Sequence, residues 1–289
     1  MRTVTCLLLT VISVEAKGWQ DLLDPELSAW RVWVGVPHKA QPVKGFEARE
    51  NVKEEGGPAI GFHRTLQGIF KMQEEEGEPV LRVSGEIFGS LETRKDFADY
   101  HFSCEFRWGE KRWEPRLQKR RNSGILYHGQ GTKHSVWNAW LPSLQYEIFE
   151  GGCGDYLSMG PVRAMCPSVR GEEGKYVFHP EGPLRPFAWG KPYLIGECHR
   201  KETLEMARGK WNKLEIYCLG KKNIHLLNDQ VVMRVQSPAL RVKGQWVPIN
   251  SGKIQIQSEG AELFFKDVKI RPITAFPKAI SREAGLEVK

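Results

Sequence analysis

At 289 residues, with 40% apolar residues and ten Trp, the chain can bury a sizeable core as one large all-β domain or two small ones, and disorder is excluded away from the ends. The net charge of +7 is modest. Its one dense basic run, Lys111-Arg112 to Lys119-Arg120-Arg121, has no recognition helix, zinc pattern or RNP-type strand beside it, so it reads as a solvated loop and no nucleic-acid partner is expected.

The first elements are those of an export signal. Arg2 supplies a short positive region, Val4 to Val14 is an apolar stretch too short to span a bilayer, and Val14-Glu15-Ala16 offers small residues to a signal peptidase. A signal peptide over 1–16, cleaved after Ala16, is expected, with a periplasmic or secreted product and no membrane span. Cleavage leaves Cys104, Cys153, Cys166, Cys198 and Cys218, an odd number. Cys153 and Cys166 flank one loop and form the best local candidate pair, whereas Cys104 and Cys218 sit in strand-like runs as small apolar residues.

From Trp19 onward the pattern is strands and turns. "VLRVSGEIFGSLETR" holds two short runs broken by Gly85 and Gly89, and "YHFSCEFRW" places Phe102, Cys104, Phe106 and Trp108 on one face at period two. "SGILYHG" and "LQYEIFE" are two further strands. "NIHLLNDQVVMRV" reads as a hairpin turning at Asn228-Asp229, and "GKIQIQSEG" with "AELFFKDVKIRPI" reads as a closing pair with core positions Leu263, Phe265, Val268 and Ile270. Short strands with turn signals at this spacing predict an all-β sandwich or barrel. Pro37 to Gly57 and Leu157 to Gly209 read as long loops that shape a site, and the tail over 275–289 as loose.

Alternation within "LQYEIFE" puts Gln145, Glu147 and Phe149 on one face, with Glu150 and Asp155 on a loop at the rim beyond Gly151-Gly152. In the neighbouring strand Asn122, Gly124, Leu126 and His128 share a face, so His128 and Glu147 can meet if the register allows. A carboxylate amid apolar strand residues must face a cleft or a partner. Glu147 is therefore either a site residue or the partner of an Arg such as Arg163. Trp137, Trp140, Tyr156, Trp189 and Trp246 fall in loop-like stretches where aromatic rings can stack on sugar faces, although core packing accounts for at least half of the Trp residues; the stretch holding Trp137 and Trp140 is the best candidate platform.

Several segments in order carry a resemblance: "GWQDLLDPELSAWRVW", "LETRKDFADYHFSCEFRW", Asn122-Ser123-Gly124-Ile125, "LQYEIFEGGCGDYLSMG", Gly209-Lys210-Trp211-Asn212, "HLLNDQVV" and the closing "GKIQIQSEGAELFFKDVKIRPI". Together they resemble the 3-keto-disaccharide hydrolase domain family over Gly18 to Ile273. Two features depart from it: His128 stands where many members carry Arg or another polar residue, and the run from Tyr156 to Gly209 is longer than in compact members. The resemblance implies a concanavalin-A-like jelly-roll β-sandwich over 17–274. It also implies an exported enzyme cleaving 3-keto-glycosides by abstraction of the carbon 2 proton and elimination of the aglycone. The alternative is a non-catalytic carbohydrate-binding module of the same fold. In the enzyme, Glu147 is the base or a metal ligand, His128 the acid or second ligand of a divalent ion such as Mn or Zn, and Asp155 an auxiliary carboxylate. Asn122, Glu150, Trp137, Trp140 and Tyr156 would then contact the oligosaccharide or glycoside. An ordinary two-carboxylate glycosidase fits only through Glu147 with Asp155. The oligomeric state stays open.

Overall fold

A computed structural model of the chain describes residues 18–62, 68–190, 192–193 and 195–286. The expected signal peptide lies outside these. Among the described residues the strands form two antiparallel sheets, one of 12 strands and one of 9, stacked face to face as a sandwich. No described helix is long and apolar enough to cross a membrane.

Alternating apolar residues make the seam. In the larger sheet Phe102, Cys104, Phe106 and Trp108 of Tyr100–Arg112 point inward, as their period-two spacing requires, together with Leu214, Ile216 and Cys218 of Asn212–Leu219. In the smaller sheet Leu144, Tyr146 and Ile148 of Ser143–Phe149 and Ile125 and Tyr127 of Asn122–Gly129 meet them. Tyr146 donates from its hydroxyl to the Leu226 carbonyl at 3.1 Å, and the Tyr127 hydroxyl meets His225 Nε2 at 2.7 Å, so the two sheets are tied by polar tips as well as by apolar burial.

The Asn228-Asp229 hairpin is present between Lys222–Leu227 and Gln230–Val242, with both turn residues at positive φ as a type I′ turn requires. The closing segments form strands, Ser251–Ser258 and Ala261–Pro272, but do not pair with each other. The chain changes sheet between them at Glu259-Gly260. A bulge at Lys266–Lys269 shifts the alternation, and for that reason Leu263, Phe265, Val268 and Ile270 are all buried despite their odd spacing.

Three expectations are corrected. The stretch from Leu157 to Gly209 is not one loop: strands Tyr156–Met159, Val162–Arg170, Tyr176–Phe178, Leu184–Phe187 and Glu197–Cys198 extend both sheets through it. Most of its Gly and Pro residues stand between these strands, while Pro167 and Pro186 lie within them. The tail is packed as far as it is described: helix Lys278–Glu283 carries Ile280, Ala284 and Leu286 onto Tyr217, Ile224 and Leu226, and the Arg234 guanidinium donates to the carbonyls of Ala284 (2.6 Å) and Gly285. All five described cysteines are buried free thiols. Cys153 donates to the Phe149 carbonyl, while Cys166 faces Cys198, so the expected Cys153–Cys166 pair is not made.

The smaller sheet is covered on its outer side too. There Val36, Val52, Phe88, Leu126, Val136, Ala139, Trp140 and Met159 form a second apolar cluster beneath the segments around 36–57 and 134–141. These segments leave an open cleft on the outer face.

Candidate active site

Ser143–Phe149 turns Gln145 and Glu147 to this outer face, because Leu144, Tyr146 and Ile148 are drawn into the core. Opposite Glu147 on the neighbouring strand stands Gly124. A Cβ there would lie 2.7 Å from both Gln145 Nε2 and Gln257 Oε1, which close over it and bond to each other at 3.1 Å. The floor beside Glu147 is thus a layer of amides over a glycine. Asn122, one step along, donates from Nδ2 to Glu147 Oε1 at 3.4 Å. Each of these three amides keeps one buried end without a partner: Asn122 Oδ1, Gln145 Oε1 and Gln257 Nε2. Buried polar atoms are nearly always satisfied in folded proteins, so three orphans around one carboxylate leave hydrogen-bonding capacity for water or a polar ligand.

Glu147 is half-buried and has no ion pair among the described residues; Arg163 instead bonds the Tyr193 hydroxyl at 2.9 Å and stacks on Trp246. Burial, reinforced by the carboxylates of Asp155, Glu259 and Glu197 and only partly countered by Arg116, pushes the Glu147 carboxyl up to about 8. Across the cleft Lys53 sets its Nζ 3.2 Å from the ring centroid of Trp137 and 5.7 Å from that of Phe88. Burial lowers its ammonium, with Glu259 pulling the other way. Glu259 itself is buried and paired with Arg116 at 3.1 Å. The basic run is therefore not a free solvated loop: Arg116 and the buried Arg121 are anchored beside the site.

Asp155 stands on the strand edge next to Glu147, whose backbone N–H bonds the Asp155 carbonyl at 3.0 Å. Its carboxylate oxygens are committed. One accepts from His199 Nδ1 at 2.9 Å, the other from the Arg200 backbone N–H at 2.7 Å and guanidinium at 3.0 Å. Bonded by Asp155 and flanked by Glu197 at 3.5 Å, the His199 imidazole is raised to about 10 and is held as a cation. Asp155 is thus a positioning group. His199, which sequence reasoning missed, is the proton-bearing one. The pairing of Tyr156–Met159 with Glu197–Cys198 brings the two together, and nothing in the spacing of residues 155 and 199 announces it.

His128 is a correction. Between Leu126 and Gly129 the ladder to Ser251–Ser258 slips by one residue, and His128 takes φ 52°. This bulge turns both Tyr127 and His128 inward. His128 is fully buried, with Nε2 3.2 Å from Asn223 Oδ1 on the opposite sheet, and burial depresses it to about 4. It lies on the other side of the sheet from Glu147, so the two cannot share an ion. With Asp155 occupied as well, the chosen ligands do not fit a metal, and among the described residues no group of three or more His, Cys, Asp or Glu is arranged to hold one.

Two of the aromatic candidates are likewise core residues. Trp140 is fully buried and donates from Nε1 to the Gly89 carbonyl at 2.8 Å; Tyr156 is buried against Ser158. Glu150 forms an ion pair with Arg121 at 2.9 Å and is not free to bind a sugar. Trp137 does stand at the cleft. It and Asn138 adopt φ 52° and 58° at the tip of a turn closed by the Ala139 N–H on the Val136 carbonyl, a conformation costly for a bulky residue.

A family model described as "3-keto-alpha-glucoside-1,2-lyase-like domain" matches residues 18–271. No curated protein matches the chain. Among solved structures, one described as "putative glycosyl hydrolase" from Parabacteroides distasonis is 15% identical, with a TM-score of 0.47 over 89% of this chain and 100% of its own. The carbohydrate-binding module CBM66 from Bacillus subtilis is 9% identical, with a TM-score of 0.40 over 70% and 91%. The alginate lyase AlyC3 is also 9% identical, with a TM-score of 0.39 over 85% and 90%.

Proposed function

Since the chain belongs to the 3-keto-alpha-glucoside-1,2-lyase-like domain family, and so to a carbohydrate-active group, we propose that it cleaves 3-keto-glycosides with Glu147 as the base. The observation that carries this reading is a carboxylate without a counter-ion, set among three amides with unmade hydrogen bonds.

A ketone at carbon 3 acidifies the carbon 2 proton. Glu147 in its carboxylate form takes that proton, and the C–H electrons pass into the enolate on the carbon 3 oxygen. The enolate then collapses: the ketone re-forms, a double bond forms between carbons 1 and 2, and the bond from carbon 1 to the aglycone breaks. Water adding across the double bond completes hydrolysis. A carboxyl raised to about 8 is a stronger base than an ordinary Glu, suited to a carbon acid. Asn122 orients it. The Lys53 ammonium and the unpartnered Nε2 of Gln257 supply donors for the enolate oxygen. The His199 imidazolium, braced by Asp155, is the available proton donor for the departing aglycone oxygen.

The same amide floor would also suit a non-catalytic glycan-binding module. The test is incubation of the purified protein with a 3-keto-glucoside and with its unoxidised parent. Release of aglycone from the keto form alone, lost in Glu147→Gln, is expected. Binding of both without release would favour the module, and equal cleavage of both would remove the keto requirement.

A further inference from the structure

Beside Glu147 on the same outer face lies a cavity of about 620 Å³ lined by Trp137, Trp189, Leu157, Met159, Val136 and Pro161. Its place follows from the strand register. Leu157 pairs with Gln145, the residue two before Glu147, so it stands about 7–8 Å from Glu147 as a diagonal cross-strand neighbour on the same face. The cavity therefore begins one diagonal neighbour away from the base, on the same face of the sheet.

Its chemistry differs from that of the amide floor. The walls are mostly two indoles and aliphatic side chains; of the two hydroxyls that border it, that of Ser158 already donates to the Phe187 carbonyl at 3.0 Å and that of Ser135 stands at the exposed rim. A second sugar would find few polar partners on these walls, whereas a flat apolar group matches them. Both indoles are fixed in advance. Trp189 is half exposed, but its Nε1 donates to the Ser158 carbonyl at 2.9 Å, and its ring lies against Gly196, where a Cβ would come within 2.2 Å of it. Trp137 is held by its tight turn and by Lys53 on its ring. Rigid, partly exposed indoles lose little freedom when an aromatic ring packs on them.

We infer that this cavity is the leaving-group subsite and that it takes an aromatic aglycone, so that aryl glycosides are the substrate class. This rests on the lyase reading for its catalytic meaning, but binding of the aromatic group does not require turnover.

The probe is 2-naphthol, titrated into the full chain by calorimetry or tryptophan fluorescence. Saturable binding is expected, weakened about tenfold in Trp189→Ala and largely restored in Trp189→Phe. In kinetics, Trp189→Ala should lower kcat/KM about tenfold for the 2-naphthyl 3-keto-glucoside and leave the methyl 3-keto-glucoside unchanged; taking the ratio within each substrate cancels their intrinsic leaving abilities. No naphthol binding, or binding indifferent to Trp189, would overturn the subsite, as would an equal loss on both substrates. Trp189-dependent binding with no turnover of either keto-glycoside would retain the aromatic pocket and overturn the lyase reading instead.

Discussion

Glu147 holds its proton more tightly in the folded protein, at about 8, than an ordinary Glu at 4.5. The linked stability is fully present below pH 4.5 and is lost as pH rises through about 8. Glu147→Gln is permanently neutral, so its melting temperature should exceed that of the wild type at pH 9 and match it near pH 4.5. Over the same range kcat/KM of the wild type on a 3-keto-glucoside should climb to a plateau above pH 8, with the variant lower by about 10²–10⁴-fold. A flat profile, or a variant that melts early at every pH, would make this carboxyl a structural one. The histidines act in the opposite sense. Burial depresses His128 to about 4 and His225 to about 3, so their stabilising contribution is complete above pH 6.5 and is lost as pH falls through those values. His128→Gln should flatten the fall in melting temperature between pH 6.5 and 4 and keep turnover at pH 7. Loss of turnover in a stable variant would put His128 back in the site.

At the scale of the strand, alternation gave the facing of Glu147 and Asn122 correctly, because both lie where the ladder is regular. It failed at His128, six residues after Asn122, because one inserted residue reverses the inside–outside order, and nothing in "ILYHG" announces the bulge. Asp155 was legible as an acid near the rim but not as an occupied one, since His199 and Arg200 reach it only through a strand edge that read as loop. Trp140 and Tyr156 were misplaced for the same reason: stretches that looked open are packed. The Trp137-Asn138 turn carries its own prediction. Asn138 Nδ2 donates to the Glu54 carbonyl at 2.7 Å, and its carbonyl accepts from Trp33 Nε1 at 2.8 Å, so this residue ties the 36–57 segment to the sheet. Asn138→Ala removes the side-chain bond and leaves a less tolerant residue at φ 58°, for a cost of about 1–3 kcal/mol. Limited proteolysis should then cut within Pro37–Gly57, and resistance equal to the wild type would show that the segment is held by its apolar contacts alone.

For the whole molecule, an all-β sandwich was legible because its strands are short, alternating and bounded by turn residues, and because the family's segments recur in order. Which strand lies in which sheet was not, since sheet switching at Glu259-Gly260 leaves no periodic trace. Nor was the docked tail, in which a few apolar residues spaced among polar ones pack on the sheet and Glu283 accepts from the Val231 N–H at 2.9 Å. Ending the chain at Thr274 would uncover Tyr217, Ile224 and Leu226 and strip the Arg234 guanidinium of two carbonyl acceptors, a loss on the order of 3 kcal/mol. A melting temperature unchanged by this truncation would return the tail to a passive appendage.

The position of the last two strands bears on when the protein can fold at all. Ser251–Ser258 is an interior strand of one sheet, between Asn122–Gly129 and Gly89–Thr93, and Ala261–Pro272 is an interior strand of the other, between Tyr100–Arg112 and Glu78–Val83. Until synthesis passes them, each sheet is two fragments with a missing middle, and the apolar faces of both stay open to water. Such long-range closure makes folding slow, on the order of milliseconds to seconds, and confines it to the completed chain. A nascent chain halted at Asn250 should remain fully protease-sensitive, whereas one extended beyond Pro272 should acquire protection in a single cooperative step. The surroundings of Glu147 would then be completed only after these strands have been made, because Gln257, one of the three amides beside it, is carried by one of them.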